Sequence, residues 1–368
     1  MNIAILSNSY GEDRSGAIIG EEIKKLCPNA SVVGASFVSL GEEYKKRGIG
    51  VLFSSPPPPS GGFLLESPVG FVNDLVISSR VPFSYIARLH RMRDKIDRVI
   101  VVGDVMLLLL GWFTFRKRMW FLAPCKSDYF SPHLGIEKKI MKRTTIEIFT
   151  HDELTANNLQ HCGVSAIFLG NPMMDELEKE NLYNPPEDKS LIGILPGSRK
   201  EAYENIKKIV VVTNKLTHSY PGLHFAIAVS ETIDKNILRD SISDTNTEID
   251  LVKDAFVDVV SSSKLVISLS GTASEQTAGL GIPIVSFVGT GPQTTFHRLK
   301  GQEKLLGGCL KFAEDFPDGV VKEIIKLLSD ERLREERGRI GIERMGPKGG
   351  ARRIAERIIK YQKSNSKY

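Results

Sequence analysis

Two glycine-containing segments in the second half of the chain have the residue types that bind a diphosphate. Leu-Pro-Gly-Ser-Arg at 195–199 and Ser-Gly-Thr-Ala-Ser-Glu at 270–275 each follow an apolar run and precede a helical pattern. At such a passage from strand to helix, the backbone N–H groups of the helix N-terminus converge and attract an anion. Gly197 and Gly271 permit a close approach, and Arg199 is suited to bind two phosphate oxygens at once.

One such turn also occurs for purely structural reasons at the start of many helices. Two in one parallel sheet are stronger evidence, because the C-terminal ends of parallel strands gather at one edge, where such sheets bind ligands. The pattern therefore predicts a nucleotide-diphosphate site, in which Glu275 binds the ribose hydroxyls. The residues assigned to the site from these two segments are Gly197, Ser198, Arg199, Ser270, Gly271, Thr272, Ala273, Ser274 and Glu275.

Alternating apolar runs and amphipathic stretches supply the elements that position these segments, and this alternation is typical of parallel α/β sheets. A proline-containing interruption at 184–189 separates two such series. We expect an N-terminal domain over 1–175, a C-terminal domain over 185–346 and a C-terminal helix over 349–364. Strands are predicted at 2–7, 31–36, 98–103, 120–123, 146–150 and 166–169 in the first series, and at 191–195, 223–229, 265–269 and 283–288 in the second.

Composition and charge exclude several classes of protein. The excess of 49 basic over 44 acidic residues, a net charge of +5, is too small to indicate a nucleic-acid partner. The four cysteines are far apart, and no secretory signal is recognisable, so we expect a cytoplasmic protein with reduced thiols. Neither the cysteines nor the seven histidines have metal-ligand spacing, and no Asp-x-Asp pair occurs, so no metal site is expected.

Longer strings of residues indicate a family. The strings at 194–201 (Ile-Leu-Pro-Gly-Ser-Arg-Lys-Glu), 169–175 (Leu-Gly-Asn-Pro-Met-Met-Asp) and 270–274 resemble those of lipid-A-disaccharide synthases. The strings at 7–13 (Ser-Asn-Ser-Tyr-Gly-Glu-Asp) and 291–293 (Gly-Pro-Gln) are more similar to a divergent branch related to these enzymes. The resemblance runs over nearly the whole chain. It implies the GT-B fold, with two Rossmann-like domains facing across a cleft and the C-terminal helix returning to the N-terminal domain.

The resemblance also implies an activity. It predicts an inverting, metal-independent glycosyltransferase that moves a sugar from a UDP-sugar, similar to UDP-GlcNAc or a UDP-acylglucosamine, to a lipid or lipid-linked acceptor. The UDP-sugar is a substrate, and no cofactor is expected. Related enzymes contact the base near 254–257, which assigns Phe256 to the nucleotide site, although a core position suits this residue equally. Gln293 and Gln302, near the glycine-rich turn at 289–291, are assigned to the donor sugar.

Inverting transfer requires a base that takes the proton of the acceptor hydroxyl. Asp104, at the C-terminal end of the predicted strand 98–103, is the first candidate for this base. Glu12 and Asp13, in the first strand-to-helix loop, are the alternatives. Each of these carboxylates is also suited to cap or begin a helix. The chain has Gly-Glu-Asp-Arg-Ser-Gly at 11–16, where the synthases have a loop similar to Gly-Glu-Ala-Ser-Gly-Asp.

Two other functions suit the same residues. A UDP-sugar 2-epimerase uses the same fold to eliminate UDP and add it again, but the expected clusters of His, Asp and Glu are not evident in the sequence. A non-catalytic sugar-nucleotide-binding protein is the third hypothesis. It is favoured if neither Asp104 nor the pair Glu12 and Asp13 lies at a ligand-binding edge.

The first half of the chain also carries a basic and apolar surface suited to an anionic membrane on its cytoplasmic face. A solvated helix beside a buried helix is the alternative interpretation. The run at 99–115 contains Asp104 and is too short to span a bilayer. The residues of the predicted surface are Arg80, Arg88, Arg91, Arg93, Lys95 and 116–118, with apolar Phe71, Val72, Leu75, Phe83, Trp112 and Phe113.

Overall fold

The computed structural model describes residues 1–37, 39–54, 89–243, 245 and 247–361. The chain divides into two compact units, each with a sheet of its own. Unit 1 contains Met1–Asp175 and the segment from Pro347 onwards, and unit 2 contains Glu176–Gly346. Part of the predicted membrane surface lies outside the described residues, namely Phe71, Val72, Leu75, Arg80, Phe83 and Arg88.

The sheet of unit 1 consists of seven parallel strands in the order β3-β2-β1-β4-β5-β6-β7. The strands are β1 Asn2–Ser7, β2 Ser31–Ser36, β3 Gly50–Ser54, β4 Arg98–Val102, β5 Met119–Ala123, β6 Thr145–Thr150 and β7 Ala166–Ile167. The helices between them are α1 Tyr10–Leu26, α2 Glu42–Lys46, α3 Val105–Phe115, α4 Gly135–Thr144 and α5 Glu153–His161.

The central strands of unit 1 form because their residues are apolar on both faces. Residues 3–6 of β1 and 99–102 of β4 are buried throughout, as expected for parallel strands covered by helices on both sides. Helix α1 begins at Tyr10, where the side chain of Ser9 accepts from the Glu12 N–H. The apolar run at 99–115 is divided between β4 and α3, with Asp104 as the N-cap of α3. In the described part of the chain, none of the helices has the length and apolar character that a bilayer crossing requires.

The sheet of unit 2 consists of six parallel strands in the order β10-β9-β8-β11-β12-β13. The strands are β8 Ser190–Leu195, β9 Leu223–Val229, β10 Ile249–Lys253, β11 Leu265–Ser268, β12 Ile284–Ser286 and β13 Leu310–Phe312. The helices are α6 Ala202–Ser219, α7 Lys235–Asp240, α8 Phe256–Ser262, α9 Thr272–Gly279, α10 Phe296–Leu306, α11 Asp318–Ser329 and α12 Glu331–Met345.

The last helix, α13 Gly350–Lys360, belongs to unit 1 and packs on α1, which confirms the predicted return to the N-terminal part. Its apolar face, which includes Ile354 and Ile358, joins the buried cluster that contains Ile19. The carboxylate of Asp175 anchors the start of the helix. It accepts from the N–H groups at 349, 350 and 351 at 2.6, 3.1 and 2.7 Å.

Candidate active site

The segment that follows β8 forms an open turn before the helix begins. Gly197 has a φ of +115°, a conformation that favours glycine, and a Cβ added there would lie 3.5 Å from the carbonyl oxygen of Leu269. Ser198 and Arg199 are exposed, and α6 begins only at Ala202. The turn therefore presents its backbone and two polar side chains to solvent at the C-terminal end of β8.

The segment that follows β11 lies beside this turn, because β8 and β11 are neighbours in the sheet. The Leu269 N–H donates to the Leu195 carbonyl at 2.8 Å. Helix α9 then begins at Thr272, and its N-cap Gly271 has no side chain to satisfy the N–H groups of the first turn. The helix N-terminus is thus suited to receive an anion from outside the chain.

The hydroxyl groups of the second segment have different surroundings. Ser274 is buried, and its Oγ donates to the Ser270 carbonyl at 2.7 Å and shares a 2.7 Å hydrogen bond with Ser268 Oγ. Thr272 is exposed, whereas Ser270 and Glu275 are half-buried. The Ser274 hydroxyl therefore shapes the turn from within, and Thr272 is better placed to meet a ligand.

A buried asparagine of α6, which no sequence pattern indicated, connects the first turn to the loop after β12. Asn205 Nδ2 donates to the Pro196 carbonyl at 3.0 Å, and Asn205 Oδ1 accepts from the Thr290 N–H at 2.6 Å. The loop after β9 also contacts the first turn, since Thr232 Oγ1 donates to the Ser198 carbonyl at 2.6 Å. Three loops at the same edge of the sheet are therefore held together by hydrogen bonds.

Gln302 and Gln293 lie next to the second turn. Gln302 Nε2 donates to two consecutive carbonyl oxygens of that turn, at 3.2 and 3.0 Å, so this amide braces the turn. Gln293 Oε1 is 3.3 Å from the position of a Cβ added at Gly271, so it lies over the N-cap of α9. Phe256 is half-buried and packs against the apolar cluster that contains Leu195, in the core environment that was its alternative interpretation.

In unit 1, the helix that follows β1 carries a buried carboxylate in its first turn. Glu12, in the first turn of α1, is 5% exposed. Its Oε2 accepts from the Asn8 N–H at 3.2 Å, and its Oε1 accepts from the thiol of Cys125 at 2.8 Å. Burial raises the pKa of Glu12 to about 7, the nearby Asp104 carboxylate acts in the same direction, and the Cys125 hydrogen bond opposes them. A carboxyl group with this pKa is suited to proton transfer at neutral pH.

Asp104 lies next to Glu12 and caps α3, as its alternative interpretation stated. Its Oδ1 accepts from the Leu107 N–H at 2.8 Å, and its Oδ2 accepts from Asn8 Nδ2 at 3.0 Å. Asn8 thus connects the two carboxylates, through its backbone to Glu12 and through its side chain to Asp104. Gly103 leaves room for this contact, because a Cβ at that position would lie 2.2 Å from Asn8 Oδ1.

Asp13 has no exposed surface and is enclosed by hydroxyl groups. Its Oδ1 accepts from Ser7 at 2.5 Å, and its Oδ2 accepts from Ser36 at 2.8 Å and from Ser39. Burial raises the pKa of Asp13, while these serine hydrogen bonds act in the opposite direction. Among the three predicted base candidates, Asp13 has its carboxylate most fully enclosed, because three serine hydroxyls donate to it and it has no exposed surface. This geometry favours Glu12 over Asp13 as the base.

In both units these residues lie where the strand order reverses. The segments that follow the neighbouring strands β1, β4 and β5 carry Glu12, Asp104 and Cys125, and those that follow β8 and β11 carry the two glycine-containing turns. Open parallel sheets bind ligands at such points. Among the residues that the structure describes, no group of three His, Cys, Asp or Glu side chains is arranged to hold a metal ion.

Sequence reasoning missed three residues that organise these sites, namely Asn8, Cys125 and Asn205. Asn8 had a usable signal, because it lies within the string at 7–13 that carries part of the family resemblance. Cys125 and Asn205 had none. Their partners Glu12 and Thr290 are 113 and 85 residues away along the chain.

Comparison with known proteins supports the predicted relationship. Residues 155–296 match the family model of lipid-A-disaccharide synthetase. The chain is 27% identical over 229 residues to the lipid-A-disaccharide synthase of Trichlorobacter lovleyi, which covers 54% of this chain and 58% of the relative. It is 29% identical over 133 residues to lipid-A-disaccharide synthase 1 of Legionella pneumophila strain Paris, with 34% and 35% covered. The chain thus spans between about a third and three fifths of the length of these curated relatives.

Solved structures share the fold over nearly the whole chain. The UDP-GlcNAc 2-epimerase of Neisseria meningitidis, bound to UDP-GlcNAc, matches with a TM-score of 0.64 and 17% identity, covering 98% of this chain and 100% of its own. The glycosyltransferase of kitacinnamycin matches with a TM-score of 0.69 and 11% identity, covering 98% of each chain. The chain therefore has a GT-B fold with two parallel α/β sheets, and residues 155–296 are similar to the lipid-A-disaccharide synthases.

Proposed function

We propose that this protein is an inverting, metal-independent glycosyltransferase that transfers a sugar from a UDP-sugar to a lipid or lipid-linked acceptor. The observation that carries the proposal is the pair of turns in unit 2, where the glycine N-cap of α9 lies beside the turn that bears exposed Arg199. The similarity to lipid-A-disaccharide synthases supports UDP-GlcNAc or a UDP-acylglucosamine as the donor. The UDP-sugar is the substrate, and no separate cofactor is part of the proposal.

The proposed chemistry needs a base for the acceptor and donors for the leaving group. A hydroxyl oxygen of the acceptor forms a bond to the anomeric carbon, while the bond from that carbon to the UDP oxygen breaks and UDP leaves with the electron pair. The acceptor proton passes to Glu12, whose pKa near 7 suits a base at neutral pH. The N–H groups of α9 and the Arg199 guanidinium stabilise the diphosphate, so the proposal requires no divalent ion.

An apolar and basic surface of unit 1 supports a lipid acceptor and peripheral contact of a cytoplasmic protein with an anionic membrane. Met106 and Phe113 of α3 are 71% and 54% exposed, and Ile136 of α4 is 67% exposed. The Arg116 guanidinium lies 5.5 Å from the centre of the Phe113 ring. Basic residues at a bilayer surface contribute about 1 kcal/mol each to binding of anionic lipid.

Calorimetry and product analysis test the proposal together. UDP should bind with the same affinity in EDTA as in magnesium, and a UDP-sugar with a lipid acceptor should give a glycolipid. Glu12→Gln should lower turnover by about 100-fold or more and leave UDP affinity unchanged, because the amide keeps the shape but accepts no proton. Strict dependence on magnesium, or full turnover by Glu12→Gln, would overturn the corresponding part of the proposal.

The second candidate is a UDP-sugar 2-epimerase, which the shared fold with the Neisseria meningitidis enzyme favours. An epimerase needs no acceptor, so incubation with UDP-GlcNAc alone separates the two hypotheses. Formation of the C2 epimer in that sample would establish the epimerase. Product that appears only after a lipid acceptor is added would establish the transferase. Binding of UDP with neither product would leave the non-catalytic sugar-nucleotide-binding protein.

A further inference from the structure

The loop after β5 places a thiol against the buried carboxylate of unit 1. Cys125 is exposed, and its Sγ lies 2.8 Å from Oε1 of Glu12, to which it donates. Glu12 itself is 5% exposed. A solvent-facing side chain from one loop therefore makes the hydrogen bond that covers one oxygen of a buried acid on α1.

Other groups around Glu12 come from three further places. The Asn8 N–H donates to Oε2 at 3.2 Å, and the Glu12 N–H donates to Ser9 Oγ at 3.3 Å. The Asp104 carboxylate, at the start of α3, repels the Glu12 charge. Burial raises the pKa of Tyr44 of α2, and the charges of Asp13 and Glu12 act in the same direction. The Ser9 side chain also acts on the Glu12 carboxylate as a hydrogen-bond partner, and the Cys125 hydrogen bond has the larger effect on the Glu12 pKa.

We propose that Cys125 is a positioning residue, whose thiol holds the Glu12 carboxylate in the orientation and the ionised state in which it takes the acceptor proton. This inference rests on the proposed function, since it assigns Glu12 the role of the base. The matching of donor to acceptor is specific: Oε1 is held by the β5 loop and Oε2 by the β1 loop. Loss of one donor frees the carboxylate to rotate about its last side-chain bond.

The thiol affects the pKa of Glu12 because its hydrogen bond favours one protonation state of the carboxyl group. A donated hydrogen bond favours the ionised carboxylate, whereas burial and the Asp104 charge favour the protonated form. Removal of the thiol leaves burial and the Asp104 charge opposed only by the weaker effects of the Asn8 and Ser9 hydrogen bonds. The pKa of Glu12 then rises above its value of about 7 in the intact protein, and a larger fraction of the enzyme carries a protonated base at neutral pH.

The pH profile of kcat/KM tests this role with a matched pair of variants. Cys125→Ala removes the donor and should move the acid limb upward by about 1–2 pH units, the size expected for loss of one hydrogen bond to a charged group. Cys125→Ser keeps a hydroxyl donor and should restore the limb close to that of the wild type. An unmoved limb in Cys125→Ala, or an equal shift in both variants, would overturn the proposal.

Thiol chemistry tests the same contact without any assumption about the reaction. The ionised Glu12 carboxylate should suppress formation of the Cys125 thiolate, so Glu12→Gln should speed its alkylation by iodoacetamide at pH 8 by about threefold or more. Peptide mass spectrometry reports each cysteine separately, and exposed Cys162 is the internal reference. An unchanged Cys125 rate would exclude the hydrogen bond and overturn the inference. If Cys125 reacts faster in Glu12→Gln but the wild type has no transfer activity, the proposed function is wrong and the hydrogen bond between Cys125 and Glu12 is still supported.

Discussion

At the scale of the residue, the candidate base is placed where its charge is costly to the fold. Glu12 is nearly fully buried, and the charged forms of Glu12 and Asp104 repel each other. Burial of an ion without a full set of hydrogen bonds destabilises a folded protein. Proteins retain such arrangements at functional sites, because a carboxyl group in a low-dielectric surrounding titrates near the pH at which it must exchange a proton.

Replacement of Glu12 by Gln should therefore stabilise the protein at high pH. The pKa of Glu12 is raised from 4.5 to about 7, so its contribution to stability is present below about pH 4.5 and is lost as the pH rises to 7. At pH 8 the variant should gain up to about 3 kcal/mol, less the hydrogen bond that the Asn8 N–H loses. As the pH rises from 4.5 to 8, the thermal midpoint of Glu12→Gln should rise progressively above that of the wild type. The midpoint of Glu153→Gln, a variant at an exposed position, should equal that of the wild type at each pH. Parallel curves for Glu12→Gln would refute the buried charge.

Arg199 should contribute directly to the affinity for UDP. It is exposed at the turn after β8, and a guanidinium bound to a phosphate contributes about 1.5–3 kcal/mol. Arg199→Ala should accordingly raise the dissociation constant of UDP by about 10- to 150-fold in calorimetry. The neighbouring exposed Lys200→Ala is the matched control and should have a small effect. Equal losses in the two variants would indicate a general charge effect instead of a phosphate contact.

At the scale of the element, variants of Asn205 test whether the order of the turn after β8 affects UDP binding apart from the stability of unit 2. Asn205→Ala leaves the Pro196 carbonyl and the Thr290 N–H without their Asn205 partner, and the buried Pro196 carbonyl alone costs about 1–3 kcal/mol. Because the first turn is then free to move, UDP affinity should fall together with the unfolding midpoint.

The control for Asn205 lies on the same helix. Asn214 Oδ1 accepts from the hydroxyls of Thr245 and Thr247 at 2.6 and 2.9 Å, away from the two turns. Asn214→Ala should lower the unfolding midpoint and leave the dissociation constant of UDP unchanged. If both variants weaken UDP binding to the same degree, Asn205 acts only through the stability of unit 2.

At the scale of the whole molecule, the apolar and basic surface of α3 and α4 predicts binding to anionic vesicles. The protein should co-sediment with anionic but not with zwitterionic vesicles, less so as salt rises, because charge and apolar insertion act together. The double variant Met106→Ser and Phe113→Ser should lose most of this binding. Ile342→Ser, at a 48% exposed position of unit 2, should retain it. Binding that survives the double variant would place the contact elsewhere.

Much of the fold was predictable from local patterns. Long runs such as 2–7 and 223–229 were predicted with the bounds that the structure has, because apolar residues on both faces are typical of central parallel strands. The strands β3, β10 and β13 were not predicted. Each is short and contains a polar or glycine residue, and all three lie at sheet edges, where apolar patterning is weak.

The sequence by itself determined where a diphosphate is expected, because the glycine and the small polar residues of each turn, with Arg199 in the first, are neighbours along the chain. It also proposed Asp104 ahead of Glu12, since the position at a strand end was visible and burial was not. Only the tertiary structure decided which acid is enclosed, which is a helix cap, and that Cys125 and Asn205 hold the two sites. These contacts depend on the order of strands in each sheet. Strand order is set by long-range packing, for which the spacing of residues along the chain carries no signal.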